Sequence, residues 1–238
     1  MMKETKIALG TWAWGAGAFG GDAVFGSNTD VVSLKPVFNA AMKAGLNLWD
    51  TATVYGMGES ERILGTLAKG VNRDDVAIST KFTPQIAELF ENSVEGMADA
   101  SIERMGCGYI DIYWIHNPMD VERWTPGLIP LLQNGKVKRV GVSNHNIQEI
   151  ERANEILGEA GFKVSAVQNH FSLLYRSSEK GGVLDYCKKM VSSSGPIWCW
   201  SKVHSAASTT SLIRCPRRAT VARSTTPCCL NWRLSPTR

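Results

Sequence analysis

Short apolar runs alternate with amphipathic stretches along most of the chain. A short apolar run bounded by polar or turn residues is typical of a buried β-strand, and apolar side chains that recur every three or four positions predict a helix with one buried face. The pattern predicts strands over residues 7–9, 46–49, 76–79, 110–115, 140–142 and 166–167, and helices over 31–44, 88–105, 121–133, 146–160 and 182–190. One more helix is expected over ESERILGTLAKG, residues 59–70, with Ser60 as its cap, Glu61 in its first turn and Gly70 at its end.

Strands that alternate with helices indicate a parallel sheet, and six such βα units can be counted. We therefore predict an α/β fold, an incomplete (β/α)8 or TIM barrel. The rival architecture is an open, doubly wound sheet, which usually carries a glycine-rich first turn for a dinucleotide. The letters GAGAFG at residues 15–20 match that motif. They follow the first strand at a distance, and no helix is expected to open directly from them, so the barrel is favoured.

The alternation stops after Met190. Between residues 191 and 238 there are seven Lys or Arg, no Asp or Glu and no amphipathic period. We therefore divide the chain into a partial barrel over residues 1–190 and a disordered or irregular tail over 191–238, in place of βα units seven and eight. A barrel closes only when its last strand pairs with its first. The first and sixth strands are thus expected to keep unpaired edges.

Composition adds to this picture mainly through the tail. The net charge of +4 comes entirely from it, because residues 1–190 contain more acidic than basic residues. A basic tail can bind nucleic acid, but a reading-frame error would also explain its composition, so no nucleic-acid partner is expected. No apolar run is long enough for a membrane helix, and MMKETKIALG lacks the apolar core of a signal peptide. We expect a cytoplasmic protein without a membrane partner.

The six cysteines do not indicate a metal site. Zinc sites usually show paired Cys-x2-Cys spacings or matching histidines, and the chain has neither pattern. Reduced thiols in a cytosolic protein are the simpler interpretation.

Polar residues stand where five successive predicted strands end. Asp50, Lys81, His116, Ser143 and Gln168 each come directly after an apolar run. Taken singly, each has an ordinary explanation as a turn cap, a solvated strand end or a core histidine. In a barrel of parallel strands, however, all these ends lie on one face, and that face holds the active site. Together the five residues therefore predict a single catalytic centre.

The segments around these residues resemble the aldo-keto reductase family over roughly residues 6–188. The matching pieces are GTW with Thr11 and Trp12, WDTATVYGMGESE with Asp50 and Tyr55, STKF with Lys81, YIDIYWIHNP with His116, VGVSNHN with Ser143 and Asn144, and VQNHFSLL with Gln168. The resemblance implies an oxidoreductase that reduces small aldehydes or ketones to alcohols. Its cofactor would be NADPH/NADP+, with NADH as a possible substitute.

The resemblance also implies a catalytic role for four residues. Tyr55 would donate a proton to the carbonyl oxygen as general acid. Lys81 would stabilise the phenolate that remains, since a nearby ammonium favours the charged form. Asp50 would hold Lys81 charged and oriented, and His116 would hydrogen-bond the substrate oxygen.

Cofactor contacts are implied at the same face. Ser143, Asn144 and Gln168 would hold the nicotinamide, together with Asp50. Thr11 and Trp12 would line the nicotinamide end or the substrate pocket.

Two features of the family are missing after Met190. They are an aromatic residue that ends the seventh strand and stacks under the nicotinamide, and a basic loop after the eighth strand that binds the adenosine 2′-phosphate. The alternative function is therefore an inactive truncated remnant, or a β-subunit-like cofactor-binding protein on the same scaffold.

The abrupt change after Lys188 leads to the hypothesis that the tail is the same gene read in a shifted frame. A base restored among the codons of Lys188, Lys189 and Met190 permits a sequence similar to the family's seventh strand. We predict that resequencing codons 186–192 finds an additional base near codon 189, or that the shifted frame stays open well past codon 238. A shifted frame dense in stop codons would contradict the hypothesis.

Overall fold

The computed structural model of the protein describes residues 7–26, 28–194, 198–204 and 210–214. The strands are β1 (Ile7–Gly10), β2 (Leu48–Asp50), β3 (Ala77–Phe82), β4 (Ile112–Ile115), β5 (Val140–Ser143), β6 (Ala166–His170), β7 (Trp198–His204) and β8 (Thr210–Arg214). The helices are α1 (Gly21–Phe25), α2 (Val31–Lys43), α3 (Glu59–Ala68), α4 (Val94–Met105), α5 (Val121–Trp124), α6 (Leu128–Gln133), α7 (Ile147–Gly158), α8 (Ser177–Lys180) and α9 (Val183–Ser194).

The strands form one barrel in chain order. Each strand from β1 to β6 pairs in parallel with the next, and β8 runs antiparallel to both β7 and β1. The six predicted βα units are therefore confirmed, as is the incomplete (β/α)8 architecture. In the described part of the chain, no helix follows β7 or β8.

Two expectations about the tail are wrong. Residues 198–204 and 210–214 are strands, and they pair with the edges of β6 and β1 that were expected to remain open. The sequences WCWSKVH and TSLIR contain aromatic and β-branched residues, which favour strands without any helical period. Unpaired edges readily accept such segments. Residues 215–238, the rest of the predicted irregular tail, lie outside the described residues.

The short connection between β7 and β8 explains why the last strand is antiparallel. Only residues 205–209 separate the two strands. A connection of this length can join antiparallel neighbours, whereas a parallel neighbour requires a crossover of a dozen or more residues. The barrel is thus closed by a hairpin instead of by an eighth parallel strand.

Two predictions about helix starts are also wrong. The helix α3 begins at Glu59, as expected, but Ser60 does not cap it: the cap residue is Gly58, which makes no side-chain capping bond. The Ser60 hydroxyl bonds instead to the Thr11 carbonyl at 2.8 Å, so it ties α3 to the end of β1. In addition, the five-residue α1 opens directly after GAGAFG, where Gly21 donates its backbone N–H to the Trp12 carbonyl.

The Trp114 indole is the largest side chain of the barrel interior, where it lies among aliphatic residues. The inner cluster comprises Ala8, Leu48, Ala77, Ile112, Trp114 and Ala166. A Cβ atom placed on Gly141 would come within 2.4 Å of the Trp114 ring. Small residues on β1, β3, β5 and β6 therefore make room for the indole, as close packing of a narrow interior requires.

The outer layer packs helices against the sheet, and α3 meets α4 at very short range. A Cβ atom on Gly65 would lie 2.4 Å from the Met105 carbonyl oxygen and 2.5 Å from its Cα. Because these are backbone atoms, a side chain could be accommodated only by moving one helix away from the other. The glycine therefore fixes the separation between α3 and α4.

We predict that Gly65→Ala destabilises the protein by about 1–3 kcal/mol, the usual cost of overpacking a core. The matched control is Gly158→Ala at the end of α7, where a Cβ atom would meet nothing within 4 Å. Since alanine favours helix over glycine, the control should unfold at the same or a higher urea concentration. Equal loss of stability in both variants would contradict the argument.

Candidate active site

The predicted polar residues lie together at the carboxyl ends of the parallel strands. Asp50 and Ser143 end β2 and β5, Lys81 and Gln168 lie near the ends of β3 and β6, and His116 follows β4. Tyr55 begins a 3₁₀ turn, Tyr55–Gly58, shortly after β2. The strand directions therefore bring these residues to one face of the barrel.

A buried ion pair forms the centre of the site. The Lys81 Nζ atom lies 2.6 Å from Asp50 Oδ2 and also donates to the Thr51 carbonyl oxygen at 2.6 Å. The other oxygen of Asp50 accepts from the Ser79 hydroxyl at 2.5 Å. Both ends of the ion pair are thus hydrogen-bonded, which is the condition under which buried charges are tolerated.

The surroundings keep Lys81 protonated. Burial on its own would lower the pKa of the Lys81 ammonium, but the charge of Asp50, and then that of Tyr55, outweigh burial and raise the pKa above its ordinary value. A fully buried lysine near neutral pH is therefore a permanent positive charge at this site.

Tyr55 lies between three of the other predicted residues. Its ring centre is 5.0 Å from Lys81 Nζ, 5.9 Å from the His116 ring and 5.8 Å from the Trp12 ring, which stacks on it. The phenol ring is only 3% exposed. The four predicted catalytic residues therefore form one cluster, and Trp12 covers one side of it.

His116 is oriented by its neighbours on both sides. The Thr83 hydroxyl lies 3.1 Å from the ring atom Nδ1, and Asn144 Nδ2 donates to the His116 carbonyl at 3.3 Å. The bond to Nδ1 restricts the rotation of the ring, and the hydroxyl can serve either tautomer because it both donates and accepts.

Asn144 links the ends of three strands. Its backbone is left-handed, with φ 62°, and its N–H donates to the Gln168 carbonyl at 3.0 Å. Its side chain bonds to the Ser143 hydroxyl at 3.2 Å and accepts from the His170 N–H at 3.2 Å. A non-glycine residue in this conformation persists only where its surroundings hold it there.

The Gln168 amide points to a missing ligand. Its Nε2 atom is buried and has no hydrogen-bond partner in the part of the chain that the structure describes. A buried donor without an acceptor is costly. An amide-bearing ligand beside Ser143 and Asn144 would supply that acceptor, so these residues fit the nicotinamide expected here.

Thr11 occupies a different position from the one its expected role suggests. Its side chain is completely buried, 2.7 Å from the Ser60 hydroxyl and 3.2 Å from the Asp50 carbonyl oxygen that accepts from it. These contacts join β1, β2 and α3 beneath the site. Trp12 is the member of the pair that reaches Tyr55.

Two polar residues of the site were missed in the sequence. Ser79 bonds Asp50, and Thr83 bonds His116. Both lie two positions from Lys81 in the segment STKFT, and side chains two apart on a strand share a face. That period-2 spacing is the signal that could have identified them.

Among the described residues, no group of three or more His, Cys, Asp or Glu is arranged to hold a metal ion. Over the same ranges, no helix combines the length and the apolar character needed to cross a membrane.

His145 is a buried titratable group next to Ser143 and Asn144. Its Nδ1 atom lies 2.8 Å from the Ser143 carbonyl oxygen, and its own carbonyl accepts from Asn169 Nδ2 at 2.8 Å. Burial lowers the pKa of the imidazole below its ordinary value of 6.5, although the bond to Ser143 and the charge of Glu149 act in the opposite direction.

We predict that the protein loses stability as the pH falls below about 6.5, because the unfolded chain then binds a proton at His145 that the folded chain resists. Above that pH both states hold a neutral imidazole, so its contribution is fully present. Replacing the imidazole by His145→Phe should flatten the dependence of the free energy of unfolding on pH. Urea unfolding of both proteins from pH 8 down to about pH 5 checks this. Parallel curves would contradict it.

Comparison with known proteins agrees with the geometry. The sequence matches the aldo/keto reductase family over residues 6–220. An uncharacterised oxidoreductase of Mycobacterium tuberculosis is 33% identical over 174 residues, which are 72% of this chain and 51% of the relative. The chloroplastic pyridoxal reductase of Arabidopsis thaliana is 28% identical over 205 residues, with 79% of this chain and 55% of the relative covered. The chain spans about half the length of these relatives.

Solved structures share the same fold. An aldo/keto reductase from Klebsiella pneumoniae, in complex with NADP and acetate, superposes with a TM-score of 0.59 at 25% identity, over 76% of this chain and 59% of that one. A glycerol dehydrogenase from Gluconobacter oxydans gives a TM-score of 0.61 at 27% identity, over 76% and 56%. With a family match over most of its length and the predicted residues gathered at one face, this chain belongs to the aldo/keto reductase family.

Proposed function

We propose that the protein reduces aldehyde or ketone carbonyls to alcohols, with Tyr55 as the proton donor. The observation that carries this proposal is the position of the Tyr55 ring, 5.0 Å from the buried Lys81 ammonium and 5.9 Å from the His116 ring. A phenol next to a permanent positive charge can release its proton, because the charge stabilises the oxygen that remains.

NADP(H) is the proposed cofactor, with NADH as the alternative. The Klebsiella pneumoniae relative holds NADP. The buried Gln168 amide supports a nicotinamide at this position, which NADP(H) and NADH share. Ser143, Asn144 and Gln168 would hold the nicotinamide end, and Trp12 would border it. When bound, the cofactor supplies a hydride to the carbonyl carbon of the substrate.

Side chains of the protein would then stabilise and protonate the substrate oxygen as negative charge develops on it. His116, held by Thr83 at Nδ1, would donate a hydrogen bond to that oxygen and orient the carbonyl. Tyr55 would transfer its phenolic proton to the same oxygen, which completes the alcohol. Lys81 would stabilise the resulting phenolate, and Asp50 would keep Lys81 in place.

We predict that Tyr55→Phe lowers kcat/KM for an aldehyde by about 10²- to 10⁴-fold, the usual contribution of a general acid. The Kd for NADPH, measured by fluorescence titration, should change little, since the phenol acts on the substrate. The control is Tyr109→Phe, because the Tyr109 hydroxyl contacts Asp74 away from the site. Undiminished turnover of Tyr55→Phe would contradict the role. A wild-type protein that binds NADPH without reducing any aldehyde would favour the non-catalytic alternative.

A further inference from the structure

A second buried ion pair lies directly behind the candidate active site. The Glu61 carboxylate, on the first turn of α3, is completely buried. Its Oε1 atom accepts from the Thr80 hydroxyl at 2.6 Å. Its Oε2 atom lies 2.8 Å from Arg104 Nε and 2.7 Å from Arg104 Nη2. Every strong contact of this carboxylate is therefore with a residue of β3 or α4.

One arm of this ion pair reaches the strand that carries the lysine. Thr80 immediately precedes Lys81 on β3. Successive side chains of a strand point to opposite faces of the sheet. The bond from Thr80 to Glu61 therefore anchors the outer face of β3 at the place where its inner face presents the ammonium.

The other partner of Glu61, Arg104, lies beside the turn that carries Tyr55. Arg104 Nη2 donates to the Ser101 hydroxyl at 3.2 Å, and Ser101 shares a 3.0 Å hydrogen bond with Thr53, two residues before Tyr55. On the far side of the turn, a Cβ atom on Gly58 would come within 2.8 Å of Arg104 Cδ. Arg104 is thus linked through Ser101 to the segment before Tyr55, and its side chain leaves no room for a Cβ atom at Gly58, where the turn ends.

The turn itself requires such support. Gly56, Met57 and Gly58 have φ values of 58°, 51° and 92°, so three consecutive residues are in the left-handed region. Met57 is the one non-glycine among them, and its conformation is intrinsically unfavourable. A strained segment keeps its shape only when its surroundings determine it.

We propose that Glu61 and Arg104 are positioning residues, which set the placement of the Tyr55 phenol relative to the Lys81 ammonium. A general gain in stability does not account for this ion pair, because buried ion pairs contribute little net stability compared with apolar side chains. What such a pair does provide is a fixed geometry between α3, α4 and β3. The catalytic consequence rests on the proposed function, whereas the positional claim does not.

The experiment compares two variants of this network with a variant of another buried ion pair that contacts the same strand, β3. Glu61→Gln removes the charge, and Thr80→Val removes one hydrogen bond while it keeps the shape of the side chain and the ion pair. The matched control is Asp111→Asn, because Asp111 is also buried, pairs with Arg73 at 2.7 Å and accepts from the Ile78 N–H on β3 at 2.9 Å. If Glu61→Gln does not fold, Thr80→Val still carries the test.

Fluorine NMR of the protein labelled with 3-fluorotyrosine reports the position of Tyr55 without any need for turnover. The chain has five tyrosines, and the resonance that disappears in Tyr55→Phe is assigned to Tyr55. We expect Glu61→Gln and Thr80→Val to shift or broaden this resonance. The control Asp111→Asn should leave it at its wild-type position.

Steady-state kinetics provide the second readout. In the two network variants kcat should fall on the order of tenfold to a hundredfold, the range for a misplaced reacting group, while KM stays nearly constant. The control should keep the wild-type kcat. An unmoved Tyr55 resonance in both network variants, or an equal shift in the control, would overturn the proposal. If the wild-type protein reduces no carbonyl, the proposed function fails, and the fluorine spectra alone decide the positional claim.

Discussion

Closure of the sheet is the constraint on which the rest of the structure depends. Because β1 to β7 are parallel, the residues that end them lie on one rim, and closure of the sheet curves that rim into a ring. Only five residues connect β7 to β8, so the gap between β7 and β1 is filled by an antiparallel strand. The hairpin covers both edges of the parallel sheet, but the barrel then has seven parallel strands and one antiparallel strand.

Within this closed barrel, two neighbouring residues of β3 take part in two buried ion-pair networks on opposite faces of the sheet. Lys81 faces the interior and pairs with Asp50, and Thr80 faces the helices and binds Glu61. Neither charge has access to water, so each needs partners with fixed geometry. Both requirements act on the same segment of backbone. A shift of β3 relative to α3 would disturb the interior pair and the outer pair together.

The local pattern of the sequence was enough to predict the strand ends and the residues on them, because period-2 and period-3.6 patterns identify buried strands and helices. It could not predict the partner of Glu61, since Arg104 lies 43 positions away and the pair is defined only by the packing of α3 on α4. It also gave the wrong role to Ser60. The Ser60 hydroxyl does not cap its own helix but donates to the carbonyl oxygen of Thr11, which directly follows β1. The strands of the tail could not be predicted from the local pattern of apolar residues. They form because β6 and β1 offer edges with which they can pair.

The direction of β8 bears on how a dinucleotide could be held. In a complete parallel barrel the loops after strands seven and eight lie at the catalytic face and commonly bind phosphate. Here β8 is antiparallel to β1 and β7, so the chain leaves it at the opposite end of the barrel. The residues that fit the nicotinamide come from β5 and β6, which are parallel and correctly directed. Ser143 and Gln168, which we propose hold the nicotinamide, therefore lie at the rim formed by the parallel strands, whereas β8 runs in the opposite direction.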